Sequence, residues 1–104
     1  MLYCVAGVNY SPESESRVRP IGEYEALGDA IAASKQLVDT FLAREFKPDM
    51  QPDTLFDRYV ELGETPYISR SDSNETVNVP EFNHLRYSKA RCAELRTAAT
   101  KLAD

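Results

Sequence analysis

The residues best placed by type and spacing to do chemistry lie in the run Glu61-Leu-Gly-Glu-Thr-Pro-Tyr67. Glu64 and Tyr67 set a carboxylate and a phenol on either side of Pro66, on a turn that the proline stiffens. If Arg58, Tyr59 or Arg91 converges on Glu64 and Tyr67, the group makes a small polar binding pocket for an amide or a carboxylate. The plainer reading, which the sequence favours, is a helix-stop turn whose Thr65 and Glu64 satisfy loose backbone groups.

Other chemistry has less to work with. His84 is the one histidine, and in the first turn of a helix the dipole disfavours its charged form, which suits a general base or an ordinary solvent-facing side chain. Cys92 lies eight residues further on, ~12 Å along a helix, so the two cannot form a dyad within it. Cys4 and Cys92 are too few for a disulfide framework and read as two buried thiols. The four glycines are isolated and form no phosphate-binding loop. Asp72-Ser-Asn-Glu-Thr76 alternates oxygens as calcium loops do, but Val77 stands where such a loop needs glycine and Asn83 where it needs an acid. No metal site and no cofactor is expected. Asn74-Glu-Thr76 matches the glycosylation acceptor pattern, which has meaning only in a secreted chain.

Composition narrows the classes further. The 104 residues carry 17 acidic and 12 basic side chains, a net charge of −5. An acidic chain argues against nucleic acid and anionic membranes as general partners. The charge is unevenly placed, with +4 on residues 83–102 and −9 on the rest. The last helix therefore offers a basic stripe, either to nucleic acid or to an acidic surface of its own chain or a partner; the shortage of interleaved aromatics favours the latter. The start Met1-Leu-Tyr-Cys-Val-Ala-Gly-Val lacks a basic signal region and no stretch approaches a membrane span, so a cytoplasmic location is expected. At 11.7 kDa a folded monomer exposes roughly 5,900 Å².

The elements that must position these residues follow from periodicity. Leu2 to Tyr10 alternates two fairly apolar sets, a strand covered on one face and half-covered on the other. Arg17 to Tyr24 reads as a second strand, which Pro20 confines to an edge or a bulge. Leu27, Ala30, Ile31, Ser34, Leu37, Val38, Phe41 and Leu42 step along one helical face as far as Phe46. After a proline connector, Asp53 is expected to cap a short helix over 54–62, with Gly63 as a left-handed terminator. Short strands at 67–69 and 76–79 suggest a hairpin. The last helix runs from His84 to about Leu102, capped by Asn83 and stapled by Phe82 on Tyr87. Its apolar seam, Leu85, Ser88, Cys92, Leu95, Ala99 and Leu102, fits core packing better than a coiled coil. The expectation is one α+β domain over residues 1–104, with two layers: a small antiparallel sheet with two main helices and one short helix packed on one face.

Three segments, Ile21-Gly-Glu-Tyr-Glu-Ala-Leu-Gly-Asp-Ala-Ile31, Leu55-Phe-Asp-Arg-Tyr-Val-Glu-Leu-Gly-Glu-Thr-Pro-Tyr-Ile68 and Tyr87-Ser-Lys-Ala-Arg-Cys-Ala-Glu-Leu95, resemble a group of short bacterial proteins usually labelled hypothetical. The resemblance implies a bacterial cytoplasmic source and transfers no catalytic residue. With so little chemistry in view, the expected role is a non-enzymatic protein-interaction module. It would act as a homodimer or with another protein, through a strand edge and an apolar helix seam. The alternatives are a small-molecule-binding module or minor enzyme built on the Glu64–Tyr67 turn, and nucleic-acid contact through the last helix.

Overall fold

One helix organises the computed structural model of the chain. The structure describes residues 2–9, 17–73, 75–77, 79–80 and 82–103. They form β1 (Tyr3–Asn9), β2 (Arg17–Tyr24), α1 (Leu27–Glu45), α2 (Pro52–Leu62), β3 (Glu64–Arg70) and α3 (His84–Ala103). The sheet is antiparallel in the order β2-β1-β3, so the protein has the expected α+β class. The expected loop at 11–16, the hairpin-tip residue Asn74 and Asn78 lie outside the described residues.

Proline 20 meets both conditions set for it. β2 is an edge strand, and its register with β1 slips between Val5 and Ala6, pairing Val5 with Gly22 and Ala6 with Pro20. Ile21 is the extra residue of this bulge, where a missing amide hydrogen is best tolerated.

Helix α1 carries both parts of the core on one stripe. Towards its start, Ala30 is buried with Val5 and Ile68 of the sheet, flanked by Tyr3, Tyr24, Leu27 and Ile31. Ala30 and Ser34 have no exposed surface, and the Ser34 hydroxyl donates to the Ala30 carbonyl at 3.0 Å, so small residues let the sheet lie close. Towards its end, Val38, Phe41 and Leu42 are buried with Leu55 and Tyr59 of α2 and Cys92 of α3. α1 touches all three strands, while α2 and α3 pack chiefly on each other and on α1.

The start of α3 follows its sequence signals. Asn83 Oδ1 accepts from the backbone N–H of Leu85 and of Arg86, each at 3.0 Å, and the Phe82 ring packs on Tyr87 with centroids 5.7 Å apart. Ser88 and Cys92 of the seam are buried inside the chain, as core packing requires, while Leu85 at its start is 43% exposed. A polar clamp ties α3 to α1: the Tyr87 hydroxyl donates to Asp39 at 2.9 Å, and Arg91 Nε donates to it at 3.1 Å.

Other signals were overruled. Gln51 caps α2 with no side-chain hydrogen bond and Pro52 opens the helix, because a proline's fixed φ suits the first helical position. Asp53 is thus inside the first turn. Gly63 is not left-handed; its φ is −78° and ψ 164°. Contact explains it instead: a Cβ there would lie 2.7 Å from the Tyr59 carbonyl oxygen and 2.6 Å from Tyr59 Cδ2. The expected turn at Glu64–Tyr67 is the first half of β3, drawn straight by pairing from Glu64 opposite Asn9 to Arg70 opposite Tyr3. Pro66 is tolerated because β3 is the other edge. Of the strand expected at 76–79, the described part makes one bridge, Ser69 to Thr76, and the Val77 N–H donates to the Ile68 carbonyl at 2.8 Å. Cys4, expected to be buried, is half-buried.

Two stability outcomes follow. Gly63→Ala should cost about 1–3 kcal/mol in urea unfolding, since backbone has to move. Gly63→Asn should do no better, although asparagine rescues a left-handed cap. Asp39→Ala should cost a similar ~1–3 kcal/mol by stranding the partly buried Tyr87 and Arg91 donors.

Candidate functional site

Strand β3 decides where the sequence-nominated residues go. Alternation along it sends Glu64, Pro66 and Ile68 to the face that meets α1, opposite Asn9, Gly7 and Val5. Thr65 and Tyr67 go to the other face. The five candidates therefore separate. Arg58 reaches Glu45 of α1, 3.6 Å away. Arg91 pairs with Asp39 and with Glu94 of its own helix. Tyr59 is buried in the helical core. Glu64 turns one way and Tyr67 the other.

Tyr59 and Tyr67 do share a hollow of about 310 Å³, with Val60, Thr65, His84 and Leu85 around it. At its base the Tyr59 hydroxyl lies 2.9 Å from His84 Nδ1 and 3.4 Å from the Glu64 carbonyl oxygen. With His84 neutral and protonated on Nε2, the phenol donates to Nδ1. Burial lowers the His84 pKa and raises that of Tyr59 well above the usual phenol range, so both stay neutral near pH 7. The Cys92 thiol, pushed up to about 11 by burial and then by Asp53, is no nucleophile at that pH. This is the chemistry of a neutral, structural polar pair. His84 is half-buried here, so the solvent-facing reading of it gives way to a contact between α2 and α3.

Glu64 lies on the opposite side, where a second and larger opening of about 450 Å³ runs between β2 and α1. Its carboxylate crosses β1 above Gly7, where a Cβ would come within 2.7 Å of Glu64 Oε2 and 3.1 Å of Leu37 Cδ2. Beyond the glycine it meets Arg19 side-on, Nη2 to Oε1 at 2.7 Å and Nε to Oε2 at 3.0 Å. Arg44 reaches the same cleft from α1, its guanidinium over the Phe41 ring at 5.3 Å. Neither arginine was legible as a site residue: they stand 25 positions apart in unrelated elements, and topology alone unites them. The glycine isolated in an apolar strand was the one available hint of a close crossing.

The third feature is the outer face of the sheet. Residues paired across an antiparallel ladder share a face, so Val18, Pro20 and Glu23 of β2, Cys4, Ala6 and Val8 of β1, and Thr65, Tyr67 and Ser69 of β3 lie together, away from α1. Glu23 is the one charge in this group. Val18 is 65% exposed and Tyr67 38%, and no residue of this face joins either core cluster.

Among the described residues no cluster of three His, Cys, Asp or Glu side chains could hold a metal ion, and no helix is long and apolar enough to cross a membrane. No family model matches the chain, and no match to it was found among curated proteins or solved structures.

The Tyr59–His84 contact carries a pH signature. The unfolded chain takes up a proton on His84 near pH 6.5, but the folded chain does so only at lower pH. The stability it contributes is therefore complete above pH 6.5 and is lost as pH falls below it towards the folded value. Urea midpoints should drop between pH 7.5 and 5, and His84→Gln should flatten that dependence. An unchanged slope in the variant would place the proton elsewhere.

Proposed function

We propose that this chain is a cytoplasmic, non-enzymatic protein-interaction module that acts as a homodimer, the outer face of its sheet being closed by the same face of a second copy. The apolar outer face carries this reading. An antiparallel sheet left open to water ordinarily alternates apolar-in with polar-out. Here the outward positions are Cys4, Ala6, Val8, Val18, Pro20 and Tyr67, relieved by Thr65, Ser69 and Glu23.

The exposed apolar side chains set where such an interface lies. A standard interface takes ~800 Å² from each partner. The sheet's own footprint, three strands by seven residues, is only ~14 by ~23 Å. The interface must then continue past Tyr67 onto Val60 and Leu85, which are 56% and 43% exposed. A symmetric pairing of like faces needs no second sequence, because a two-fold axis makes one patch complementary to itself. Beyond Leu85 the helix seam contributes little, since Ser88 and Cys92 are already buried. Two free thiols suit a reducing compartment.

Light scattering on the eluting protein tests the reading. At tens of micromolar the chain should weigh about 23 kDa, twice 11.7 kDa. Val18→Lys, at an exposed edge position where lysine is tolerated, should bring it to the monomer mass with its circular dichroism unchanged. Leu85→Lys should raise the dimer dissociation constant at least tenfold. A wild-type chain that stays at monomer mass throughout would overturn the proposal.

A further inference from the structure

We propose that the cleft between β2 and α1 binds a small organic monocarboxylate with a short apolar body. Its volume, about 450 Å³, falls within the range of small-molecule sites. Two arginines and one glutamate line it, a local charge of +1 on a chain of net charge −5. That balance suits a monoanion better than a phosphate dianion.

The cationic groups are held in place before any ligand arrives. Arg19 uses Nε and Nη2 for Glu64, which fixes the guanidinium plane and leaves Nη1 outside the pair. A bidentate partner of this kind restricts the side chain at little cost to its remaining donors. Arg44 lies over the Phe41 ring, and its contact with Glu45 is a long one at 3.9 Å, so its donors remain available. Arg19 lines the cleft from β2 and Arg44 from α1, so a carboxylate bound there is offered charge-assisted donors from both walls.

The apolar part of the ligand follows from the rest of the lining. Ile21, Leu37 and Phe41 face the cleft, and Leu62 at its margin is 45% exposed. A short hydrocarbon body would cover that leucine while the carboxylate stays at the arginine end. The cleft lies on the α1 side of the sheet, since Arg19 pairs with the buried Gly7. Pairing of outer faces leaves it open, so ligand binding and self-association are separate properties.

Amide shifts of the full-length ¹⁵N-labelled protein, titrated with hexanoate, 1-hexanol and inorganic phosphate, test the proposal. Hexanoate should give saturable shifts confined to the cleft, residues 9, 19, 21, 24, 33, 36–44 and 62–64. Hexanol and phosphate should bind at least tenfold more weakly, each lacking one half of the recognition. Arg44→Gln and Leu62→Ser, both at exposed positions, should each weaken hexanoate several-fold with the remaining spectrum unchanged. Equal affinity for hexanoate and hexanol, shifts mapping to another surface, or indifference to both substitutions would overturn it.

Discussion

Everything in this molecule depends on one helix being shared. The 19 residues of α1 supply a single apolar stripe, and two structures compete for it. Its first half lies on the sheet through Ala30 and Ser34, and its second half is taken by α2 and α3 through Val38, Phe41 and Leu42. Burying Leu42 alone is worth several kcal/mol by the usual cost of truncating a core leucine. Two consequences follow from the division. Where α1 leaves the sheet for its helical partners, the sheet's far end has no core beneath it, and a cleft opens at Asn9, Arg19 and Glu64. And because α2 and α3 stack chiefly on each other and on α1, none of the described residues on the sheet's other face joins a core cluster.

The Arg19–Glu64 pair closes the uncovered end. It joins the two edge strands across the middle one, and it can do so because Gly7 removes the side chain that would stand between them. Both groups are partly exposed, 57% and 25% by side chain, so solvent screening keeps the contribution to stability small. Its effect is on geometry: it orients a guanidinium over an otherwise apolar opening.

How much of this was legible in the sequence depends on the range of the interaction. Helix α1, the cap and staple of α3, and the edge position of β2 all arise from contacts within a few residues, and each left a mark: the stripe from Leu27 to Leu42, Asn83 with Phe82 and Tyr87, and Pro20. The end of α2 was misread because Gly63 has two physical uses. A left-handed residue and a residue with no room for a Cβ look identical in sequence, and only the position of Tyr59 tells them apart. Glu64 and Tyr67 were nominated together from their spacing, but the period of a strand places them on opposite faces. The Arg19–Glu64–Arg44 grouping and the Tyr59–His84 contact join residues far apart in the chain, with no local pattern to announce them. The even-numbered residues of β1 are the instructive case: their apolar character was visible from the start, and it describes a face that joins neither core cluster.

Whether that face is covered by a second copy can be read from the side chains themselves. With a soluble paramagnetic probe in the sample, methyl relaxation at Ala6, Val8 and Val18 reports contact with solvent directly. In concentrated protein these methyls should be shielded, more so than their position on a single chain allows, and dilution should expose them. Methyl groups at Ala6, Val8 and Val18 that relax as fast in concentrated as in dilute protein would contradict a dimer formed through the outer sheet face.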